Sequence, residues 1–264
     1  MGVKIAISGK GGVGKTTVCA VWAQLFAGDG LDVLAIDADP NANLGLAFGI
    51  APEANPEPLI AMKELIGQRT GAGRDTVGAY FRLNPEVSDL PERYWVTVGN
   101  TREGKGVKLL VLGGITQAGS GCACPEGAFL KAMLMHTILQ RDEMVLVDLA
   151  AGVEFLGRAS VQGIDALVVV VEPGARSIET ANNIARMASR LGIRYVAAVV
   201  NKTTDERQGE QIRKRLTMSV LVDIKYSERV QAADLAGEAV FEASEELVNQ
   251  LRSAKSVLER NLSI

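Results

Sequence analysis

Val3-Lys4-Ile5-Ala6-Ile7-Ser8-Gly9-Lys10-Gly11-Gly12-Val13-Gly14-Lys15-Thr16-Thr17 is the stretch that decides the fold. Residues 3–8 are mostly apolar and β-branched and stop at glycine, which reads as a buried strand. Beyond it, Val18, Val21, Trp22, Leu25 and Phe26 recur at spacings of three and four, so residues 15–26 form a helix with one apolar face. Gly9 to Thr16 satisfies G-x-x-x-x-G-K-[ST] between this strand and this helix, the context in which the motif has a mechanism. Its glycines let successive backbone N–H groups turn inward around phosphate oxygens, and the helix points its positive end at the same oxygens. Lys15 is placed for the β- and γ-phosphates of a nucleoside triphosphate, the Thr16 hydroxyl for Mg²⁺ and Thr17 for the α-phosphate. Gly9, Lys10, Gly11, Gly12, Val13, Gly14, Lys15, Thr16 and Thr17 therefore make up the candidate nucleotide cradle. The bland alternative is a glycine-rich turn without a ligand.

Outward from this loop, apolar runs of strand length alternate with helical patterns. Strands are expected over 32–37, 107–112, 144–148, 165–171, 195–200 and 219–224. Helices are expected over 126–139, 175–191, 204–216 and 228–236. Nearly continuous apolar strands are those of a parallel sheet covered on both faces, so the pattern predicts βαβ units. The fold class is α/β: a single phosphate-loop domain over 1–264, with a mostly parallel twisted sheet flanked by helices. Prolines 52, 56 and 58 open an excursion that runs to about residue 91, with one short helix near 59–66. Residues 93–98 and 107–112, joined by Thr-Arg-Glu-Gly-Lys-Gly, are expected to pair as an edge hairpin.

Composition narrows the function. The chain has 264 residues and a net charge of −3, so no overall basic field invites nucleic acid. No apolar run is longer than the six residues 166–171, too short to span a bilayer. The opening Met-Gly-Val-Lys-Ile runs straight into a strand without a signal-peptide core, and three cysteines make no disulfide framework. A reducing cytoplasm is the expected setting. One histidine, His136, in a helix with Met133, Leu134 and Met135, argues against Ser-His-Asp or multi-histidine metal chemistry and reads as structural.

Three further positions fit phosphate chemistry. Asp37 and Asp39 follow the second strand, and Asp39 could orient the attacking water. Asp148 ends the fourth apolar strand, where a carboxylate commonly holds Mg²⁺. Each could instead be a turn or cap aspartate. Lys10 is not required by an ordinary phosphate loop. It could cross a dimer interface and neutralise charge on a partner's nucleotide, as an arginine finger does, or it could be solvated.

Gly119-Ser120-Gly121-Cys122-Ala123-Cys124-Pro125 is the second informative stretch. In extended chain, residues i and i+2 face the same way, so two thiolates can meet one soft cation. Two sulfurs do not close a tetrahedral site, and no other Cys or His lies nearby. A symmetric homodimer would supply four sulfurs to one ion on its axis. The alternative is a pair of small buried thiols. Cys19, beside Val18 and Ala20 in the first helix, reads as packing.

These residues resemble the deviant-Walker-A ATPases, the group of the nitrogenase iron protein, MinD and ParA. Its mark K-G-G-x-G-K-[ST] stands here at Lys10 to Thr16. The resemblance covers nearly the whole chain: the phosphate loop, a switch I over 37–41, a switch II over 148–152, and Asn201-Lys202 after a late strand. It implies a nucleotide-dependent dimer with Lys10 acting across the interface, and adenine recognition at Asn201. One departure is Ile224-Lys225-Tyr226, where many relatives have Ile-Pro-Tyr.

Within the group, Cys122-Ala123-Cys124-Pro125 and Asp148-Leu-Ala-Ala-Gly-Val-Glu-Phe-Leu-Gly-Arg158 resemble the CooC/AcsF family of accessory ATPases. That resemblance implies assistance of nickel insertion into carbon monoxide dehydrogenase or acetyl-CoA synthase, with Cys122 and Cys124 as a Ni²⁺ or Zn²⁺ site shared across the dimer. Three other readings stay open. A MinD- or ParA-like positioning ATPase would need a basic tail or surface. Residues 245–262 do put Leu247, Leu251, Ala254 and Leu258 on one face. Their polar face mixes Glu245, Glu246 and Glu259 with Arg252, Lys255 and Arg260, which suits docking on the protein better than stable membrane association. The others are an iron–sulfur carrier like the nitrogenase iron protein and a structural Zn²⁺ in the dimer.

Overall fold

The computed structural model describes residues 2–72, 80–99, 106–114, 124–139, 141, 143–150 and 163–263. Its frame is an eight-stranded sheet: β1 Lys4–Gly9, β2 Val33–Ala38, β3 Val96–Val98, β4 Val107–Val111, β5 Met144–Leu149, β6 Ala166–Val171, β7 Tyr195–Thr203 and β8 Ser219–Lys225. The order across the sheet is β3-β4-β2-β5-β1-β6-β7-β8, and only β3 runs antiparallel to its neighbour. The mostly parallel α/β sheet predicted from the apolar runs is the one observed.

Strand side chains alternate between two apolar layers, as the period of two requires. Ile5, Ile7, Val33, Ala35, Val168 and Val170 enter one core, while Ala6, Leu34, Ile36, Leu167 and Val169 enter the other. The first core is covered by α1 (Lys15–Gly28) together with the C-terminal helix Glu245–Leu262. Trp22, fully buried, donates from Nε1 to the Leu251 carbonyl at 3.0 Å and ties these two helices together. The Leu247, Leu251, Ala254 and Leu258 face is buried there, so it is spent on the protein's own core. Lys255 departs from its expected place on the polar face. It is buried, 4.5 Å above the Phe26 ring, and paired with Asp29 at 2.7 Å and Glu259 at 2.5 Å. Among the described residues, no helix is long and apolar enough to cross a membrane.

Two local expectations are corrected. Residues 93–98 are not all strand: Leu90–Tyr94 is a helix and only Val96–Val98 pairs with β4. Pro91 in the first helical turn explains this, since its fixed φ starts a helix and its missing N–H costs nothing there. The single helix near 59–66 divides into a 3₁₀ turn, Leu59–Ala61, and a helix, Lys63–Thr70.

Candidate nucleotide site

The parallel order brings the carboxyl ends of β1, β2 and β5 side by side, and the functional side chains stand on that edge. Asp37 is directly in register with Asp148 on the neighbouring strand. Both are essentially inaccessible to solvent. The Asp37 carboxylate accepts from the backbone N–H of Leu44 at 2.7 Å and of Asp39 at 3.1 Å, which folds the turn carrying Asp39. Asp39 in turn accepts from the Asn41 backbone N–H at 2.9 Å and lines the cleft. Asp37 thus lies inside β2 rather than after it, and shapes the loop from below.

Thr16 Oγ1 donates to Asp148 Oδ2 at 2.6 Å, while Asp148 Oδ1 is buried without a hydrogen-bond partner. Burial, with the charge of Asp37 adding to it, pushes the Asp148 carboxyl from 3.8 up to about 7. Burial likewise raises Asp37 to about 6, against the pull of its two backbone donors. An unpartnered carboxylate oxygen, a second buried carboxylate and a threonine hydroxyl form an oxygen donor set that suits a hard divalent cation such as Mg²⁺. Lys15, buried at the start of α1, favours the ionised form of both aspartates.

The cleft above the phosphate loop has a volume of about 630 Å³. Gly11, Gly12, Gly14, Lys15, Thr16 and Thr17 form its floor. Gly14 has φ of +100°, and a Cβ on it would lie 2.5 Å from Asn201 Nδ2, so only glycine fits. Asn201 belongs to β7 itself rather than to a loop after it, because pairing with β8 continues to Thr203 through an irregularity. Its amide donates to the Val13 carbonyl at 2.8 Å and accepts from the Lys202 backbone N–H at 2.9 Å. Asn201 therefore anchors the phosphate loop. Removing that bond with Asn201→Ala is expected to weaken ADP binding about tenfold, the worth of one well-placed hydrogen bond. A titration with a fluorescent ADP analogue measures it, and unchanged affinity would deny the anchoring role.

Apart from Tyr226, the far wall is one the sequence motifs did not reveal. Tyr226, Ser227, Val230, Gln231 and Asp234 line it, with the Tyr226 hydroxyl donating to Gln231 Oε1. The Lys225 departure leaves this rim intact: Lys225 pairs with Thr203, and the Tyr226 N–H donates to the Thr203 carbonyl at 2.8 Å. Lys10 lies against its own subunit, with Nζ 3.3 Å from Glu172 Oε1, and Lys202 Nζ is 3.8 Å from the other oxygen of the same carboxylate. Glu172 carries no motif and was not among the expected residues.

Cys124 precedes Pro125–Leu139, the helix that follows β4, and its Sγ accepts the Gly127 N–H at 3.2 Å. Cys122 and the whole run Ala151 to Arg158, including the end of switch II, lie outside the described residues. Among the described residues no cluster of three or more His, Cys, Asp or Glu side chains is arranged to hold a metal. Cys19 is fully buried, as expected of a packing residue.

A doubly covered parallel sheet with a phosphate loop at the carboxyl end of β1, facing two strand-end aspartates, defines a phosphate-loop nucleotide hydrolase. The chain belongs to the CobQ/CobB/MinD/ParA nucleotide binding domain family, which matches residues 4–240. It is similar to the carbon monoxide dehydrogenase accessory protein CooC of Rhodospirillum rubrum, at 40% identity over 245 residues, covering 92% of this chain and 90% of that protein. An ATP-binding protein of Methanocaldococcus jannaschii is 38% identical over 241 residues, covering 90% and 91%. Among solved structures, MinD of Pyrococcus horikoshii with Mg-ADP has a TM-score of 0.66 at 18% identity, covering 97% of this chain and 96% of that one. That last likeness concerns the fold. Family and relatives together make this chain a nucleotide-dependent ATPase.

Proposed function

We propose that the chain is an ATP-hydrolysing, metal-binding maturation factor that assists nickel insertion into carbon monoxide dehydrogenase or acetyl-CoA synthase. It works in the cytoplasm as a homodimer, without stable membrane association and without nucleic acid. The observation that carries this reading is the place of Cys124. It starts the helix after β4 on the same edge of the sheet as Asp39 and Asp148, with its sulfur on a helix N-terminal N–H. Similarity to CooC along 92% of the chain supports the client class.

In this reading the backbone of Gly9 to Gly14 wraps the phosphates, Lys15 binds the β- and γ-phosphates, and Thr17 holds the α-phosphate. Thr16 and Asp148 would hold Mg²⁺, which would neutralise charge on the terminal phosphates. Asp39 orients water for in-line attack on the γ-phosphorus, so the bond to ADP breaks and phosphate leaves. Lys10 leaves Glu172 and reaches the partner's nucleotide when two ATP-loaded subunits close. Asn201 edges the adenine while holding Val13. Closure joins Cys122 and Cys124 of both subunits around one Ni²⁺ or Zn²⁺. Loss of the γ-phosphate contacts loosens the switches and opens a site that is split between subunits, which releases the metal.

The test is reactivation of nickel-free client enzyme by limiting Ni²⁺ and ATP. Wild-type protein is expected to accelerate it at least tenfold, and Cys122→Ser with Cys124→Ser to abolish the acceleration while leaving ADP binding intact. Equal acceleration by the variant would remove the cysteines from the function.

A further inference from the structure

We propose that Glu172 is a positioning residue of the ATPase: its carboxylate holds the Lys10 ammonium beside the subunit's own phosphate loop, and keeps Lys202 as its counter-ion once Lys10 leaves. The leaving step rests on the reading of Lys10 above; the holding contact does not.

Sheet register brings the three side chains together. β6 lies between β1 and β7. Gly9 is in register with Val170, and Val171 with Val200. Lys10 is thus the first residue past β1, Glu172 the first past β6, and Lys202 stands two beyond Val200 in β7. A Cβ on Gly9 would lie 2.4 Å from the Val170 carbonyl oxygen, so β1 ends pressed against β6 and Lys10 departs beside the acid. The Glu172 backbone N–H donates to Ser177 Oγ at 3.1 Å, in the first turn of the helix Ala175–Leu191, which fixes the acid at the sheet edge.

The two lysines are held unequally. Lys202 has φ of +62°, a left-handed backbone that a side-chain-bearing residue keeps only when its surroundings enforce it. Here its N–H donates to Asn201 Oδ1 at 2.9 Å, its Nζ donates to the Gly12 carbonyl at 2.5 Å, and the same Nζ is 3.8 Å from Glu172 Oε2. Lys202 is therefore tied to the phosphate loop and stays. Among the described residues the Lys10 ammonium has one partner, Glu172 Oε1 at 3.3 Å. An exposed pair at this distance orders a long side chain and costs little to break. Were Glu172 then left without a cation, its charge would repel the nucleotide phosphates. Lys202 prevents that, because it remains on the second carboxylate oxygen.

Two measurements on the full chain test this. Acetylation of Lys10 by N-hydroxysulfosuccinimide acetate in nucleotide-free protein is followed by mass spectrometry, with the exposed Lys63 as internal reference. Glu172→Gln is expected to raise the Lys10 rate relative to Lys63 about threefold, the worth of one exposed pair. Sedimentation with a non-hydrolysable ATP analogue gives the dimer dissociation constant. It is expected to fall about fivefold in the same variant, since each of the two closing subunits is spared breaking the contact. Glu172→Asp keeps the charge but shortens the reach, and is expected between wild type and Glu172→Gln in both measurements; it carries the test alone if the glutamine variant fails to fold. An unchanged Lys10 rate, with or without tighter pairing, would overturn the proposal. So would a wild-type protein that pairs with the analogue and a variant that pairs no more tightly. Should wild type stay a single subunit with the analogue while Lys10 labelling still rises in the variant, the holding contact stands and the reading of Lys10 across a dimer falls.

Discussion

Lys10→Ala should lower the turnover number for ATP at least about a thousandfold while ADP affinity stays within about threefold. The size follows from the charge that a second cation supplies to a phosphoryl-transfer transition state, worth about 10³ to 10⁵ in rate when it comes from another subunit. The selectivity follows from geometry. Ground-state binding of the nucleotide is left to the inward backbone of the loop, to Lys15 and to the start of α1. Lys10 in the single subunit is engaged elsewhere, 3.3 Å from Glu172 Oε1 with 44% of its side chain exposed. On the proposed reading its contribution is to the closed pair alone, so kcat should fall and ADP binding should not. Single-turnover hydrolysis with an equilibrium ADP titration separates the two. Wild-type hydrolysis by the variant would leave Lys10 as one more surface lysine.

Asp148→Asn should abolish Mg²⁺-dependent hydrolysis and, without nucleotide, make the protein more stable at pH 8. Asp148 near 7 and Asp37 near 6 both stand above the ordinary 3.8. Between about pH 4 and 7 the folded chain holds protons that the unfolded chain has given up. The stability linked to those protons is complete below about pH 4 and is lost as pH rises through 6 to 7. At pH 8 two buried carboxylates are ionised in register, with one oxygen unpartnered. Removing one charge should stabilise the empty protein on the order of 3 kcal/mol, or roughly 5 °C or more in Tm for a chain of this length. At pH 5 the folded Asp148 is protonated while the unfolded one is ionised, so the gain should fall to roughly a third of its pH 8 size, and it should vanish below about pH 4. Calorimetry of nucleotide-free protein at both pH values checks this. An equal shift at both, or none at pH 8, would contradict the electrostatic account of the site.

The same buried charge explains why the parts of this protein differ in how readily the sequence reveals them. The phosphate loop is legible because only glycines and one lysine-threonine pair satisfy its backbone, so its residues are nearly dictated. The helices Ala175–Leu191, Glu228–Ala236 and Glu245–Leu262 begin and end where the sequence pattern puts them, since their caps and apolar spacings agree. Asp148 was visible as a strand-end carboxylate, but its pairing with Asp37 depends on which strands neighbour each other, and strand order is a tertiary property. Glu172 was invisible for that reason. It is an isolated acid after β6, and only the fold brings Lys10 and Lys202 to its two carboxylate oxygens. Lys255 shows the converse error: a charge on a helix reads as solvated, yet an aromatic ring and two acids can bury it. Nothing in the sequence marks Gly113-Gly114, because crowding by Pro40, Pro58 and Ile60 comes from distant segments.

At the centre stands one claim: ATP brings two copies of this chain together so that their Cys122 and Cys124 thiols grip a single transition ion. The most direct measurement is Ni²⁺ or Zn²⁺ bound per subunit, with the mass of the complex, with and without a non-hydrolysable ATP analogue. The account predicts half an equivalent of metal in a particle of twice the subunit mass when the analogue is present, with the metal lost in the double-serine variant. A full equivalent per subunit, or metal retained by that variant, would contradict it.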